Sequence, residues 1–219
     1  DLSLMAGTCD RIGVMEAGRL VEEGPAASVL GSPSHPATRA LVAGLPGRPG
    51  PGHRTEAPAE PILEVEGLCK DFPAGGLLSR RSIRALDGVD LILNRGEILA
   101  LVGRTGSGKS TLSRIISRLE SPTAGRLLLD GRDVLASEPH RASQRYRNRV
   151  QMVFQDPFAS LNPARTVGHT LGRALALHRS VSESDGGAAE LLDAVGLEPG
   201  LLGARPHELS GGQRQRVAI

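Results

Sequence analysis

The chain has 219 residues, 39% apolar and 23% charged, with a net charge of +2; that is enough for one or two domains with an ordinary core. No stretch approaches the ~18 apolar residues of a membrane-spanning helix and no charged-then-apolar leader opens the sequence, so a cytosolic protein, or the cytosolic part of one, is expected. Cys9 and Cys69 have neither metal-ligand spacing nor a CxxC partner and read as ordinary thiols, and nearly all the positive charge is arginine, Lys70 and Lys109 being the two lysines.

Residues 11–15 (RIGVM) predict a strand, Glu16, Ala17 and Gly18 a turn, and residues 19–22 (RLVE) a returning strand broken by Gly24 and Pro25. Ser34 is placed to cap a short helix that begins at His35 and Pro36 and ends before Gly44. Residues 1–45, with no disulfide and no metal, are too few for an independent core. Residues 46–61 (PGRPGPGHRTEAPAEP) are dominated by Pro and Gly and read as a linker. The chain therefore has three parts: 1–45, the linker 46–61, and 62–219.

In the third part Leu63 and Val65 face one way and Glu64 and Glu66 the other, as in a half-buried strand, and residues 85–93 repeat the pattern. Residues 98–102 (ILALV) form a continuous apolar run, expected of a strand buried on both faces. A glycine-rich segment follows, then a helix with Leu112, Ile115, Ile116 and Leu119 on one stripe. Residues 126–130 and 149–155 are further strand candidates, and residues 190–195 a helix stopped by Gly196. The arginine-rich stretch 141–149, with Tyr146 inside it, is short and lies beside acidic residues; it reads as a solvated helix face rather than a nucleic-acid surface. The fold class expected is α/β.

Residues 103–110, GRTGSGKS, fit GxxxxGK(S/T) at every position. A polyphosphate is a dense anion, so its site must present positive potential without bulk. Gly103, Gly106 and Gly108 let the backbone curl, and Arg104, Thr105 and Ser107 complete the ring of inward amides. The helix starting near Lys109 adds the positive end of its dipole. Lys109 can reach the β- and γ-phosphates, Ser110 can ligate Mg2+, and Thr111 falls at the α-phosphate.

Kinases, GTPases and many ATPases share such a loop. Residues 209–213, LSGGQ, followed by Arg214, Gln215 and Arg216, narrow the choice: they resemble the signature of the ABC ATPase family. Ser210 offers a hydroxyl, and Gly211 and Gly212 expose amides where a helix begins. The resemblance implies a P-loop NTPase of the ABC ATPase type, with an antiparallel β subdomain and a helical signature subdomain. It implies that Ser210, Gly211, Gly212 and Gln213 face the γ-phosphate of ATP held by a second nucleotide-binding domain, head to tail. Gln155, after VQMVF, resembles the glutamine that contacts Mg2+ or the attacking water, and Phe72 resembles the aromatic that stacks on adenine. Residues 154–163 (FQDPFASLNP) and 33–46 (PSHPATRALVAGLP) resemble dipeptide, oligopeptide and nickel importers, except that Ala37 stands where an aromatic is usual. The implied cofactors are ATP and Mg2+. The implied partners are transmembrane permease subunits at the cytoplasmic face of the membrane and, through them, an extracytoplasmic solute-binding protein, with no nucleic acid.

By the same resemblance, residues 1–45 match the C-terminal end of one nucleotide-binding domain and residues 62–219 the first two-thirds of another, truncated before Walker B. That predicts a fragment of a fused double ATPase, with doubtful turnover alone. It also predicts that residues 11–15 can pair with residues 98–102, as in a permuted single domain. The alternatives are an ABC ATPase without transport and a binding-only remnant; the 53 residues between Gln155 and Leu209 hold neither heptads nor a cysteine cluster, which disfavours the former.

Overall fold

The computed structural model describes residues 8–43, 60–74, 81–138, 142–154, 161–177 and 187–219. The chain divides into one unit spanning residues 1–150 and another spanning 151–219.

The first unit contains strands β1 (Arg11–Glu16), β2 (Arg19–Pro25), β3 (Pro61–Pro73), β4 (Ser82–Asn94), β5 (Leu99–Gly103), β6 (Ala124–Leu129) and β7 (Arg132–Asp133). Its helices are α1 (Ala26–Gly31), α2 (Pro36–Ala43), α3 (Lys109–Ile116), α4 (Val134–Ser137) and α5 (Gln144–Arg149). The strands form two sheets, ordered β2-β1-β5 and β4-β3-β6-β7. β1 pairs in parallel with β5, from Arg11 opposite Leu99 to Met15 opposite Gly103. The N-terminal hairpin thus has no core of its own and completes a sheet with a strand more than eighty residues away.

The uninterrupted apolar run of β5 follows from that position. Ala100 and Val102 join Ile12 and Val14 of β1 in a cluster closed by Ala26, Val29 and Leu30 of α1. Leu99 and Leu101 pack the opposite way, against a cluster holding Met15, Leu68, Leu86, Leu112, Ile115 and Leu127. A strand with apolar clusters packed against both its faces cannot alternate apolar with polar. Leu112 and Ile115 of α3 are fully buried, each worth roughly 1.5–3 kcal/mol of burial.

Several local expectations are corrected. Gly24 and Pro25 do not break β2: they pair with Ile12 and Arg11, and β2 is an edge strand, where proline is tolerated. Ser34 does not cap α2. The His35 ring Nδ1 accepts from Ala37 N–H at 3.2 Å, while Ser34 directs its N–H and hydroxyl to Glu22. Pro61, assigned to the linker, is the first residue of β3, opposite Asn94.

The α3 stripe ends before Leu119, which is 58% exposed. Leu119 N–H donates to the Arg114 carbonyl and Arg118 N–H to that of Ile115, with Arg118 left-handed at φ 56. That pattern is a Schellman closure. An arginine is accommodated there because its guanidinium reaches the Val134 and Glu138 carbonyls.

Of the strand candidate 149–155, residues 149–154 are not a strand, and Gln155 lies outside the described residues. Arg149 closes α5 and residues 150–154 have no regular structure. Val153 and Phe154 are 63% and 47% exposed. A β-prone segment becomes a strand only beside another, and among the described residues no strand pairs with it.

The second unit holds α6 (Val167–Leu177), α7 (Gly187–Ala194) and α8 (Gly211–Ala218), with 3-10 turns at Pro199–Gly203 and Pro206–Glu208. Leu161, Val167, Leu192, Leu197, Leu209 and Val217 form its core. Gly196, at φ 64, stops α7 as expected: Leu197 N–H donates to the Leu192 carbonyl at 2.9 Å. Among the described residues no helix is long and apolar enough to cross a membrane.

Candidate functional site

The loop between β5 and α3 carries residues 103–108. Ser107 N–H donates to the Arg104 carbonyl at 3.1 Å, closing a tight turn. Gly103, Gly106 and Gly108 have φ of 151, 82 and 103, backbone that an L side chain rarely adopts. Two of them are also crowded. A Cβ on Gly103 would overlap the Met15 carbonyl, and one on Gly108 would stand 2.7 Å from the Ala85 carbonyl oxygen. Gly106 faces open space.

Gly108 is the N-cap of α3, and Leu112 N–H returns to its carbonyl at 2.9 Å. The amides of Lys109, Ser110 and Thr111 therefore have no intrahelical acceptor and lie at the positive end of the helix. Lys109 Nζ donates to the carbonyls of Gly103 (2.7 Å) and Arg104 (2.9 Å) and to Ser107 Oγ (3.2 Å). The ammonium thus sits over the loop, held by neutral oxygens that an anion outcompetes. Arg104, Thr105, Gly106 and Ser110 are exposed; Ser107 is buried.

The β1–β2 turn supports this loop, and local sequence reading did not assign it that role. Gly18 N–H donates to the Ser107 carbonyl, and Asp87 N–H of β4 donates to the Gly18 carbonyl, both at 3.0 Å. Beside it Arg19 Nε bonds Asp87 at 2.7 Å, Arg84 joins Asp87 at 3.0 Å, and Arg84 Nε reaches Asp71 at 2.9 Å. The Arg84 hydrogen bond holds Asp71 below the usual carboxylate range, and the Arg19 and Arg84 bonds do the same for Asp87. The one signal in sequence is the glycine at the turn; its partners are non-local.

Phe72 lies in β3, half-buried, opposite Ile83 of β4. The Lys70 ammonium covers one face of its ring, 4.8 Å from the centroid. Gln155 lies outside the described residues. Among those that are described, no group of three or more His, Cys, Asp or Glu could hold a metal ion. The exposed Ser110 hydroxyl is compatible with Mg2+, which keeps most of its shell as water and phosphate oxygen and takes one or two protein ligands.

In the second unit Ser210 is the N-cap of α8. Its Oγ accepts from Gln213 N–H at 3.2 Å, and Gln213 Oε1 accepts from Ser210 N–H at 2.8 Å, a reciprocal capping box. Ser210 and Gln213 therefore organise the helix start, a structural part the motif reading did not assign. Gly211 and Gly212 are exposed, have no positive φ, and would meet nothing within 4 Å if given a Cβ. This unit's own conformation does not require glycine there; bare backbone at a helix N-terminus suits close approach by an external anion.

Comparison with known proteins points the same way. The family model described as ABC transporter matches residues 86–219. The chain is 38% identical over 225 residues to the peptidoglycan transport ATP-binding protein YejF of Agrobacterium fabrum, covering 100% of this chain and 40% of that protein. It is 36% identical over 248 residues to the glutathione import ATP-binding protein GsiA of Escherichia coli, with the same 100% and 40% coverage. The chain thus spans 40% of the length of these curated relatives. Among solved structures, the ATP-binding cassette MJ0796, dimeric and bound to ADP and Pi, superposes with a TM-score of 0.58 at 28% identity, covering 72% of this chain and 67% of that one. CbiO1 of Clostridium perfringens, part of an ABC transporter complex, gives 0.56 at 30% identity, covering 73% and 60%.

Proposed function

The chain belongs to the ABC transporter family and has its P-loop NTPase fold, and on that premise we propose that it binds Mg-ATP at residues 103–111, as part of the ATP-binding subunit of an importer for peptide-like solutes. The observation that carries the nucleotide reading is the loop of three positive-φ glycines, capped by the Lys109 ammonium and opening on the free amides of α3.

The backbone amides of Arg104, Thr105, Gly106 and Gly108 and those of the first turn of α3 surround the phosphate oxygens, in a loop shaped by the Ser107 N–H that closes its turn on Arg104. Lys109 exchanges its carbonyl partners for them, gaining charge-assisted bonds. Ser110 places its hydroxyl for Mg2+ and Thr111 lies beside it. Gly211 and Gly212, at the helix start that Ser210 and Gln213 organise, present amides to the nucleotide of a second, head-to-tail domain. The dimeric, ADP-bound MJ0796 cassette supports pairing with a second nucleotide-binding domain. Gln155 is assigned to Mg2+ or the attacking water by resemblance alone.

Residues 1–45 are assigned to the end of one nucleotide-binding domain and residues 62–219 to the start of another. The 40% span of longer relatives supports this, as does the parallel pairing of β1 with β5. Turnover is assigned to the longer protein, where a carboxylate base can activate water. The names of the two relatives, one for peptidoglycan and one for glutathione, favour a solute containing a peptide. Permease subunits, peripheral attachment at the cytoplasmic face of the membrane and an indirect solute-binding protein complete the proposal.

The test is calorimetric titration of Mg-ATP into the chain and its Lys109→Ala variant. Losing an ammonium that donates to phosphate removes about 1.5–3 kcal/mol, so affinity should fall at least about ten-fold. Equal affinity in the variant refutes the assignment.

A further inference from the structure

Lys70 and Phe72 are two residues apart on β3 and so share a face of the strand. Lys70 Nζ stands 4.8 Å from the ring centroid, anchored by Glu120 Oε1 at 2.7 Å and by the Ser121 carbonyl at 2.6 Å. The Lys70 side chain is 12% exposed, so water screens its field at the ring only weakly. Its Glu120 partner immediately follows the Schellman closure of α3, the helix that begins at the phosphate loop.

The position of the ring relative to that loop follows from strand register. Phe72 is opposite Ile83, two residues from Ala85, whose carbonyl oxygen abuts Gly108. Two residues along a strand cover about 7 Å and one strand spacing about 5 Å, which puts the ring roughly 10 Å from the loop, a span that a nucleoside triphosphate bridges.

An ammonium fixed over one face of an aromatic ring stops it from swinging and draws π density toward itself. The opposite face is then oriented for, and more attractive to, an electron-rich base. We propose that Lys70 is a positioning residue for the nucleobase: it locks the Phe72 ring, through its Glu120 anchor, as a one-sided stacking platform. The proposal rests on the reading that residues 103–111 hold a nucleoside triphosphate.

The test compares Mg-ATP with Mg-tripolyphosphate, which has no base. Calorimetric affinities are measured for the full chain, Lys70→Met, Lys70→Arg, Phe72→Leu and the Lys70→Met/Phe72→Leu double variant. Lys70→Met keeps the aliphatic stem and removes the charge. It should weaken ATP binding about five-fold, leave tripolyphosphate binding unchanged, and cost nothing further in the Phe72→Leu background; Lys70→Arg should restore ATP binding. If Lys70→Met loses its far-ultraviolet circular dichroism, Glu120→Gln, which frees the ammonium from its anchor, carries the same comparison. An equal loss for both ligands shows a merely structural role and overturns the proposal, as does full ATP affinity in the variant. A chain that binds neither ligand overturns the nucleotide reading beneath it, whereas equal affinity for both ligands sinks the stacking platform alone.

Discussion

Alanine at Gly108 and, separately, at Gly106 distinguishes two reasons for a glycine in the phosphate loop. Both residues have positive φ, 103 and 82, which costs an L side chain about 1–2 kcal/mol. At Gly106 nothing lies within 4 Å of the added carbon, so that is the whole cost. At Gly108 the methyl would stand 2.7 Å from the Ala85 carbonyl oxygen and 2.8 Å from Leu86 Cδ2. The first is backbone of β4 and the second belongs to a fully buried side chain, so neither yields without moving the sheet. Overpacking of this kind adds about 1–3 kcal/mol. Gly108→Ala should therefore lose about 2–5 kcal/mol, a large share of the ~5–15 kcal/mol typical of a domain. Urea unfolding with linear extrapolation measures both variants. Equal destabilisation would refute the argument from close approach and leave the dihedral alone as the reason for glycine.

Tyr146 is buried, which pushes its phenol up to about 12, and its hydroxyl donates to the Ile116 carbonyl at the end of α3. Tyr146→Phe should cost about 1–2 kcal/mol in urea unfolding, because that carbonyl loses its partner. Ser210→Ala removes half of the α8 capping box and should cost about 1 kcal/mol, read as faster amide exchange in the first turn of α8, with Ser210→Asp recovering it. Burial would raise the Glu22 carboxyl, but the Ser34 and His35 N–H groups and the Ser34 hydroxyl, which all donate to it, pull it down to about 2, from an ordinary value of 4.5. A depressed folded value means the ionised form stabilises. That contribution is complete above pH 4.5 and is lost as pH falls toward 2. The stability gap between the native chain and Glu22→Gln should close over that window; a gap independent of pH would contradict it.

The phosphate loop was legible in sequence because its information is contiguous: three glycines, a lysine and a hydroxyl along eight residues, after an apolar run and before an amphipathic stripe. Local backbone freedom and side-chain chemistry suffice to specify a strand–loop–helix turn. The Ser210–Gln213 box is equally local, written in two residues three apart. Resemblance, rather than periodicity, raised the pairing of residues 11–15 with residues 98–102.

Tertiary structure alone decided the remainder. Residues 149–154 have strand composition, but among the described residues no strand lies beside them, and pairing, not propensity, makes a strand. Gly18 supports the loop through partners 89 and 69 residues away, Ser107 and Asp87, and Lys70 is held over the ring by Glu120 and Ser121, about fifty residues on. Sequence by itself determined which short segments can turn and cap a helix, since those properties arise within a few bonds. Which segments meet depends on burying apolar faces against one another, and that free energy belongs to the assembled core rather than to any stretch of chain.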